Sequence, residues 1–154
     1  MNTITHTNPN GKTVQVNVGE HVTIGENSYI GWNVTIGSYS TVGVGSYCGV
    51  GSTIGENVTI GENVTIGKNP YISRGSTVGD GSYIGSHSTI GRNATIGEYA
   101  NIADGSHVGS YSTIGRNATI GKNATIGVGS TIGENVTIGE NATIDRDTTI
   151  GPDA

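Results

Sequence analysis

The side chains able to carry out acid–base, nucleophilic or metal chemistry are few and scattered through the 154 residues of this chain. There are four histidines and a single cysteine, Cys48. A histidine that acts as general base needs a partner to orient its ring, and no histidine here has an obvious partner in the sequence around it. A lone cysteine excludes an internal disulfide and a zinc site of the CxxC type. We therefore predict no catalytic residues, no cofactor and no metal ligands.

The composition argues against several classes of function. The net charge of −5 is spread along the chain without a basic run, which argues against nucleic-acid binding. No stretch approaches the roughly 20 apolar residues that span a bilayer. The polar N-terminal residues 1–11 lack the apolar run of a signal peptide. We predict a soluble chain, cytoplasmic or recombinantly produced, that binds neither nucleic acid nor a membrane.

A six-residue repeat organises most of the sequence. Every sixth residue from Val18 to Ile150 is Ile or Val, except Cys48, and glycine follows at all but three of these places. The residue before the aliphatic is usually threonine, and the third residue after it is mostly Asn or Gly. Alternate side chains of a strand face opposite ways, so the aliphatic points inward and the threonine outward. Asn and Gly suit a corner with positive φ. Since one hexapeptide cannot bury its aliphatic face alone, it must stack on copies of itself.

The units VTIGEN, ATIGRN and STIGEN resemble the hexapeptide repeat of bacterial transferases, which reads Leu/Ile/Val-Gly-x-x-Ser/Thr/Ala/Val-x. The resemblance covers residues 18–151 and implies an all-β fold, a left-handed parallel β-helix of triangular section with about seven coils of 18 residues. Residues 1–17 are predicted to form a hairpin or irregular cap over the first coil, because alternating segments flank Asn10-Gly11. Residues 152–154 are predicted to form a C-terminal tail.

The same resemblance raises the question of acyl transfer. Acyltransferases of this family carry a catalytic histidine, often on a loop that leaves the helix or in a His-Asp step, and similar γ-class carbonic anhydrases hold a metal through three histidines between subunits. Here His21 and His87 fall at corners, His107 replaces an outward threonine, and no loop leaves the repeat. Neither motif can be transferred residue by residue. Solvated surface histidines are the favoured interpretation.

Sorting the outward residues at an interval of 18 gives one column for each of three faces. A column made of threonine alone is the first candidate surface: Thr23, Thr41, Thr59, Thr77, Thr95, Thr113, Thr131 and Thr149. A regular row of hydroxyl and methyl groups is similar to that of ice-binding solenoids. Strand propensity explains the same threonines without any ligand, so ice binding is kept as an alternative hypothesis.

Aromatic residues mark a second candidate surface, comprising Tyr29, Tyr47 and Tyr83 in one column and Trp32 at the following corner. Aromatic side chains are enriched at protein interfaces, but they also stabilise a sheet through contacts between strands. The sequence leaves both interpretations open. It also leaves the oligomeric state open between a monomer and the homotrimer that the family resemblance implies.

The regularity of the repeat favours a non-catalytic structural scaffold, consensus-designed or engineered, or selected for its shape. Acyl-CoA-dependent acyl transfer is the main alternative and rests on the resemblance alone. The question whether the chain is an enzyme stays open, with the lack of a histidine motif or loop insertion favouring a non-enzymatic role. A column of Glu62, Asp80 and Glu98 is more consistent with solvated carboxylates than with a cation site.

Overall fold

A computed structural model of the chain describes residues 1–152, and within them every regular element is a β-strand. The two longest strands come first, and each later strand is two residues long. The strands are β1 (Asn2–Thr7), β2 (Thr13–Val18), β3 (Thr23–Ile24), β4 (Tyr29–Ile30), β5 (Thr35–Ile36), β6 (Thr41–Val42), β7 (Tyr47–Cys48), β8 (Thr53–Ile54), β9 (Thr59–Ile60), β10 (Thr65–Ile66), β11 (Tyr71–Ile72), β12 (Thr77–Val78), β13 (Tyr83–Ile84), β14 (Thr89–Ile90), β15 (Thr95–Ile96), β16 (Asn101–Ile102), β17 (His107–Val108), β18 (Thr113–Ile114), β19 (Thr119–Ile120), β20 (Thr125–Ile126), β21 (Thr131–Ile132), β22 (Thr137–Ile138), β23 (Thr143–Ile144) and β24 (Thr149–Ile150).

From β2 to β21, each strand pairs with the strand three positions later in the chain. The strands therefore form three sheets, and each sheet is one face of a triangular solenoid. In the described residues the mixed face has the order β1-β2-β5-β8-β11-β14-β17-β20-β23, the threonine face β3-β6-β9-β12-β15-β18-β21-β24, and the tyrosine face β4-β7-β10-β13-β16-β19-β22. All pairings are parallel except that of β1 with β2. The all-β, left-handed parallel β-helix of about seven coils predicted from the sequence is confirmed.

Backbone hydrogen bonds run from coil to coil at three places in each hexapeptide. Thr77 N donates to Ala94 O at 3.0 Å and Gly79 N donates to Ile96 O at 2.8 Å, which ties this unit to the next coil. The corner residue Gly81 donates to Glu62 O of the preceding coil at 2.9 Å. Each coil therefore provides hydrogen-bond partners for the backbone N–H and C=O groups of its neighbours, as a stack of short strands requires.

The corners have a left-handed backbone at every repeat from His21 to Asp147. Asparagine and glycine fill most of these positions, in agreement with the sequence analysis. Five carry bulky rings instead: His21, Tyr39, His87, Tyr99 and Tyr111, with φ between 56° and 62°. Since a positive φ is unfavourable for a bulky residue, the neighbouring coils must hold these corners in place.

The core consists of inward aliphatic columns that are fully buried along the middle of the solenoid. Between them lies a second inward position, which is Val, Ala or Ser at most repeats. The buried serines satisfy their hydroxyls by donating to a backbone carbonyl of the next coil, as Ser40 does to Gly55 at 2.7 Å and Ser76 to Gly91 at 2.8 Å. No buried side-chain polar atom in residues 1–152 lacks a partner. Serines can therefore share the core with the aliphatic residues, although only 32% of the residues are hydrophobic.

The N-terminal hairpin of β1 and β2 joins the edge of the mixed face and contacts the first coil. The buried side chain of Asn8 accepts from Ile30 N at 2.8 Å and donates to Ile30 O at 3.0 Å, as a strand residue would. His6 Nε2 lies 3.0 Å from Ser28 O. The division into a cap of residues 1–17, a β-helix of 18–151 and a tail of 152–154 stays a prediction. Residues 153 and 154 of that tail lie outside the described residues.

The part of the chain that the structure describes has no helix long and apolar enough to cross a membrane.

Candidate functional surfaces

The threonine face carries its eight predicted threonines in register, one on each neighbouring strand, and all eight are exposed. Parallel strands set their spacing at about 4.8 Å. Thr77, for example, pairs with Thr59 on one side and Thr95 on the other. At one border of this face the corner rings of Tyr39 and Tyr111 are 58% and 60% exposed. The threonines therefore form one regular row beside a border with two exposed rings.

The tyrosine face brings only two of its three predicted tyrosines together. The rings of Tyr29 and Tyr47 stack with centroids 4.8 Å apart and an interplanar angle of 6°. Tyr83 is separated from Tyr47 by Thr65, which pairs with both. Trp32 lies at the next corner with 73% of its surface exposed. The aromatic set thus comprises a stacked pair, one separate ring and one exposed indole.

The histidines do not converge on a site. His21 stacks on Tyr39 with ring centroids 5.1 Å apart, and His87 lies at a corner on the other side of the mixed face. His107 lies on the mixed face and pairs with Thr89 and Thr125. No histidine of residues 1–152 forms an ion pair with a carboxylate. Within residues 1–152, His6, whose Nε2 lies 3.0 Å from Ser28 O, is the one histidine with a side-chain hydrogen-bond partner.

Cys48 lies at an inward position of the tyrosine face and is fully buried. Burial raises the pKa of its thiol to about 12, because the interior disfavours the thiolate. A thiol is nucleophilic only after it loses its proton, so Cys48 serves as a small apolar core residue rather than as a reactive group.

Two of the three carboxylates in the acidic column between the threonine and tyrosine faces have partners. Asp80 Oδ1 accepts a hydrogen bond from Glu62 N at 2.8 Å, and Glu98 pairs with Arg116 at 3.8 Å. Among the described residues no three His, Cys, Asp or Glu side chains come close enough to hold a metal ion. Asp80 and Glu98 therefore interact with groups of their own corner rather than with a shared cation.

A groove that the sequence analysis missed lies at the corner between the mixed and threonine faces. Its volume is about 540 Å³, and its lining residues are Gly55, Glu56, Tyr71, Ser73, Arg74, Arg92 and Ser110. We call this groove and its corner the arginine edge. The signal that would have found it is the hexapeptide of residues 70–75, which places Pro, Tyr and Ser at positions usually held by Val or Ser, Thr, and Gly.

Comparison with known families gives two matches. A bacterial transferase hexapeptide model of six repeats matches residues 63–98 and 99–134. A model for the hexapeptide repeat of succinyl-transferase matches residues 15–47 and 129–154. No curated protein sequence matches the chain. Between them the two family models extend over most of the repeat region.

Solved structures of similar fold include three acyltransferases. The UDP-N-acetylglucosamine acyltransferase from Campylobacter jejuni has a TM-score of 0.64 and 14% identity, over 86% of this chain and 66% of that one. The corresponding O-acyltransferase from Moraxella catarrhalis has a TM-score of 0.53 and 17% identity, over 84% and 65%. An N-acyltransferase from Bacillus cereus, solved with dTDP-4-amino-4,6-dideoxyglucose and coenzyme A, has a TM-score of 0.55 and 16% identity, over 75% and 74%.

At these identities the structural likeness shows the fold alone, and the chain spans about two thirds of the length of the first two acyltransferases. The repeat pattern, the stacked coils and the two family models agree with one another. This chain belongs to the bacterial transferase hexapeptide-repeat family.

Proposed function

We propose that this chain is a rigid, non-catalytic solenoid that presents surface side chains at fixed spacing. The observation that carries the proposal is the uninterrupted ladder of backbone hydrogen bonds from coil to coil. Each outward residue has a counterpart 18 residues away on the neighbouring strand, as Thr95 has in Thr77 and Thr113. Such a stack fixes the height and direction of every outward side chain, which suits a scaffold. A consensus-designed origin stays a prediction.

Acyl transfer is the second candidate, favoured by the family and by the acyltransferase structures of similar fold. The reaction would move an acyl group from a coenzyme A thioester to an acceptor hydroxyl or amine, releasing coenzyme A as its thiol. A histidine would take the proton of the acceptor as general base. His107 is the best placed for this role, because it points outward from a strand of the mixed face, whereas His21 and His87 lie at corners. A partner subunit, as in the homotrimer that the family resemblance implies, would have to supply the rest of the site.

The two candidates are separated by measuring the solution mass and the release of coenzyme A thiol from acetyl-CoA in the presence of sugar and amine acceptors. We expect thiol release at the rate of the protein-free blank, whether the chain is a monomer or a trimer. His107→Asn is the test variant and His87→Asn, also exposed but at a corner, is the matched control. Acceptor-dependent thiol release that His107→Asn abolishes and His87→Asn retains would overturn the scaffold proposal.

Ice binding has a separate basis in the eight exposed threonines that lie in register. If that face orders water as ice does, the unmodified chain shows thermal hysteresis, Thr77→Tyr abolishes it, and Thr89→Tyr on the mixed face leaves it intact. The scaffold proposal expects no hysteresis from any of the three proteins. Nanolitre osmometry on matched concentrations decides between these results.

A further inference from the structure

The arginine edge combines the largest departures from the repeat with a groove. Within one hexapeptide, Tyr71 replaces the usual outward threonine and Ser73 replaces the usual glycine. Both line the groove, together with Arg74 of the same unit. The unit of residues 70–75 departs from the repeat at three positions, Pro70, Tyr71 and Ser73, and two of these three residues line the groove.

The groove is basic in a chain that is acidic overall. Three of the four arginines of the sequence, Arg74, Arg92 and Arg146, share this corner. Arg74 and Arg92 are 18 residues apart, so their backbones stack on successive coils about 4.8 Å apart. Both side chains line the groove, and two cations beside one cavity attract an anion more strongly than either cation alone.

The two arginines differ in how far their charge is already balanced. Arg74 Nη2 lies 3.7 Å from Glu56 Oε2, and both side chains are more than half exposed. Arg92 has no carboxylate within 4 Å among residues 1–152. Its backbone N donates to Ser110 Oγ at 3.2 Å, which holds this corner of the groove in place. One guanidinium is therefore free to bind an anion, and the other is shared with an exposed glutamate.

We propose that the arginine edge binds a phosphate group between Arg74 and Arg92. Guanidinium groups present planar pairs of N–H donors that match the oxygens of a phosphate. The hydroxyl of Ser73 adds a donor beside them, and the half-exposed ring of Tyr71 adds an apolar wall. All of these residues come from a single chain, so the site is complete without a partner subunit.

The test titrates inorganic phosphate and phenyl phosphate into the full chain at low ionic strength, followed by calorimetry and by the amide NMR signals of Arg92 and Ser110. We expect Arg92→Gln to weaken binding about tenfold, since a hydrogen bond to a charged group contributes on that order. Glu56→Gln should strengthen binding, because it frees Arg74 from its competing carboxylate.

Arg116→Gln is the matched control, because Arg116 also pairs with a glutamate 18 residues earlier, at 3.8 Å, and its side chain is 56% exposed like that of Arg74. It should leave the affinity within twofold of the unmodified chain. A preference for phenyl phosphate that Tyr71→Thr removes would identify an ester ligand, and equal affinities would identify the free ion. No shift at Arg92 and Ser110, or equal losses in Arg92→Gln and Arg116→Gln, would overturn the proposal.

Discussion

Replacing Gly43 with alanine is expected to lower the free energy of unfolding by about 2 kcal/mol, since overpacking typically costs about 1–3 kcal/mol. Gly43 follows the inward aliphatic of β6, where the next coil comes closest. A methyl group there would overlap the carbonyl of Gly61 and approach Glu62 N to 2.8 Å. The coils would have to separate at this corner, which lengthens the hydrogen bond from Gly43 N to Ile60 O, now 2.8 Å.

Gly139→Ala is the matched control, because it lies at the same position of the repeat but has no atom of another coil within 4 Å. Its φ is not positive. Alanine is therefore expected to leave stability unchanged, or to raise it by about 0.5 kcal/mol because it lowers the conformational entropy of the unfolded chain. Urea denaturation of both variants measures the difference. Equal stabilities would contradict the prediction and show that the coils accommodate a methyl group at this position without cost. Ala103 holds the same position of the repeat, and its N donates to Ile120 O at 2.9 Å.

The sequence predicted the fold because each position of the hexapeptide meets one physical demand. The aliphatic fills the core, the glycine allows the next coil to approach, and Asn or Gly accepts a positive φ. These demands recur in every unit, so even a single sequence contains many repeated observations of the same rule. The inward role of Cys48 and the outward role of Thr77 follow from their position in the period alone.

The arginine edge was missed because the interval of 18 was not applied to the corner between the mixed and threonine faces. Tyr71 and Arg74 are close in the sequence, but Arg92 and Ser110 join them only when that corner is read from coil to coil. The corner rings of Tyr39 and Tyr111 were missed for a related reason. A positive φ at tyrosine contradicts its intrinsic preference, and only the surrounding coils impose it. Functional departures in a solenoid are therefore best sought along corners as well as faces.

Alkaline pH is expected to destabilise this chain through Cys48, and Cys48→Val is expected to remove that part of the effect. Burial raises the pKa of the thiol from 9.0 to about 12 in the folded chain. Between these values the unfolded chain loses the proton while the folded chain retains it, so the unfolded state binds fewer protons and stability falls as the pH rises. One ionising group contributes about 1.4 kcal/mol per pH unit over this interval. Well below pH 9 the thiol keeps its proton in both states, so its contribution to stability is fully present.

Urea denaturation of both proteins at pH 8 and pH 11, under reducing conditions, isolates the contribution of the Cys48 thiol. We expect the unmodified chain to lose about 3 kcal/mol more than Cys48→Val over this range. Valine fits the site, because Ile30 and Ile66 hold the same inward position on the adjacent strands. Ionisation of tyrosines and lysines is common to both proteins and cancels. Identical losses in the two proteins, or rapid alkylation of native Cys48 at pH 8, would show that the thiol reaches solvent and that the tyrosine face opens around it.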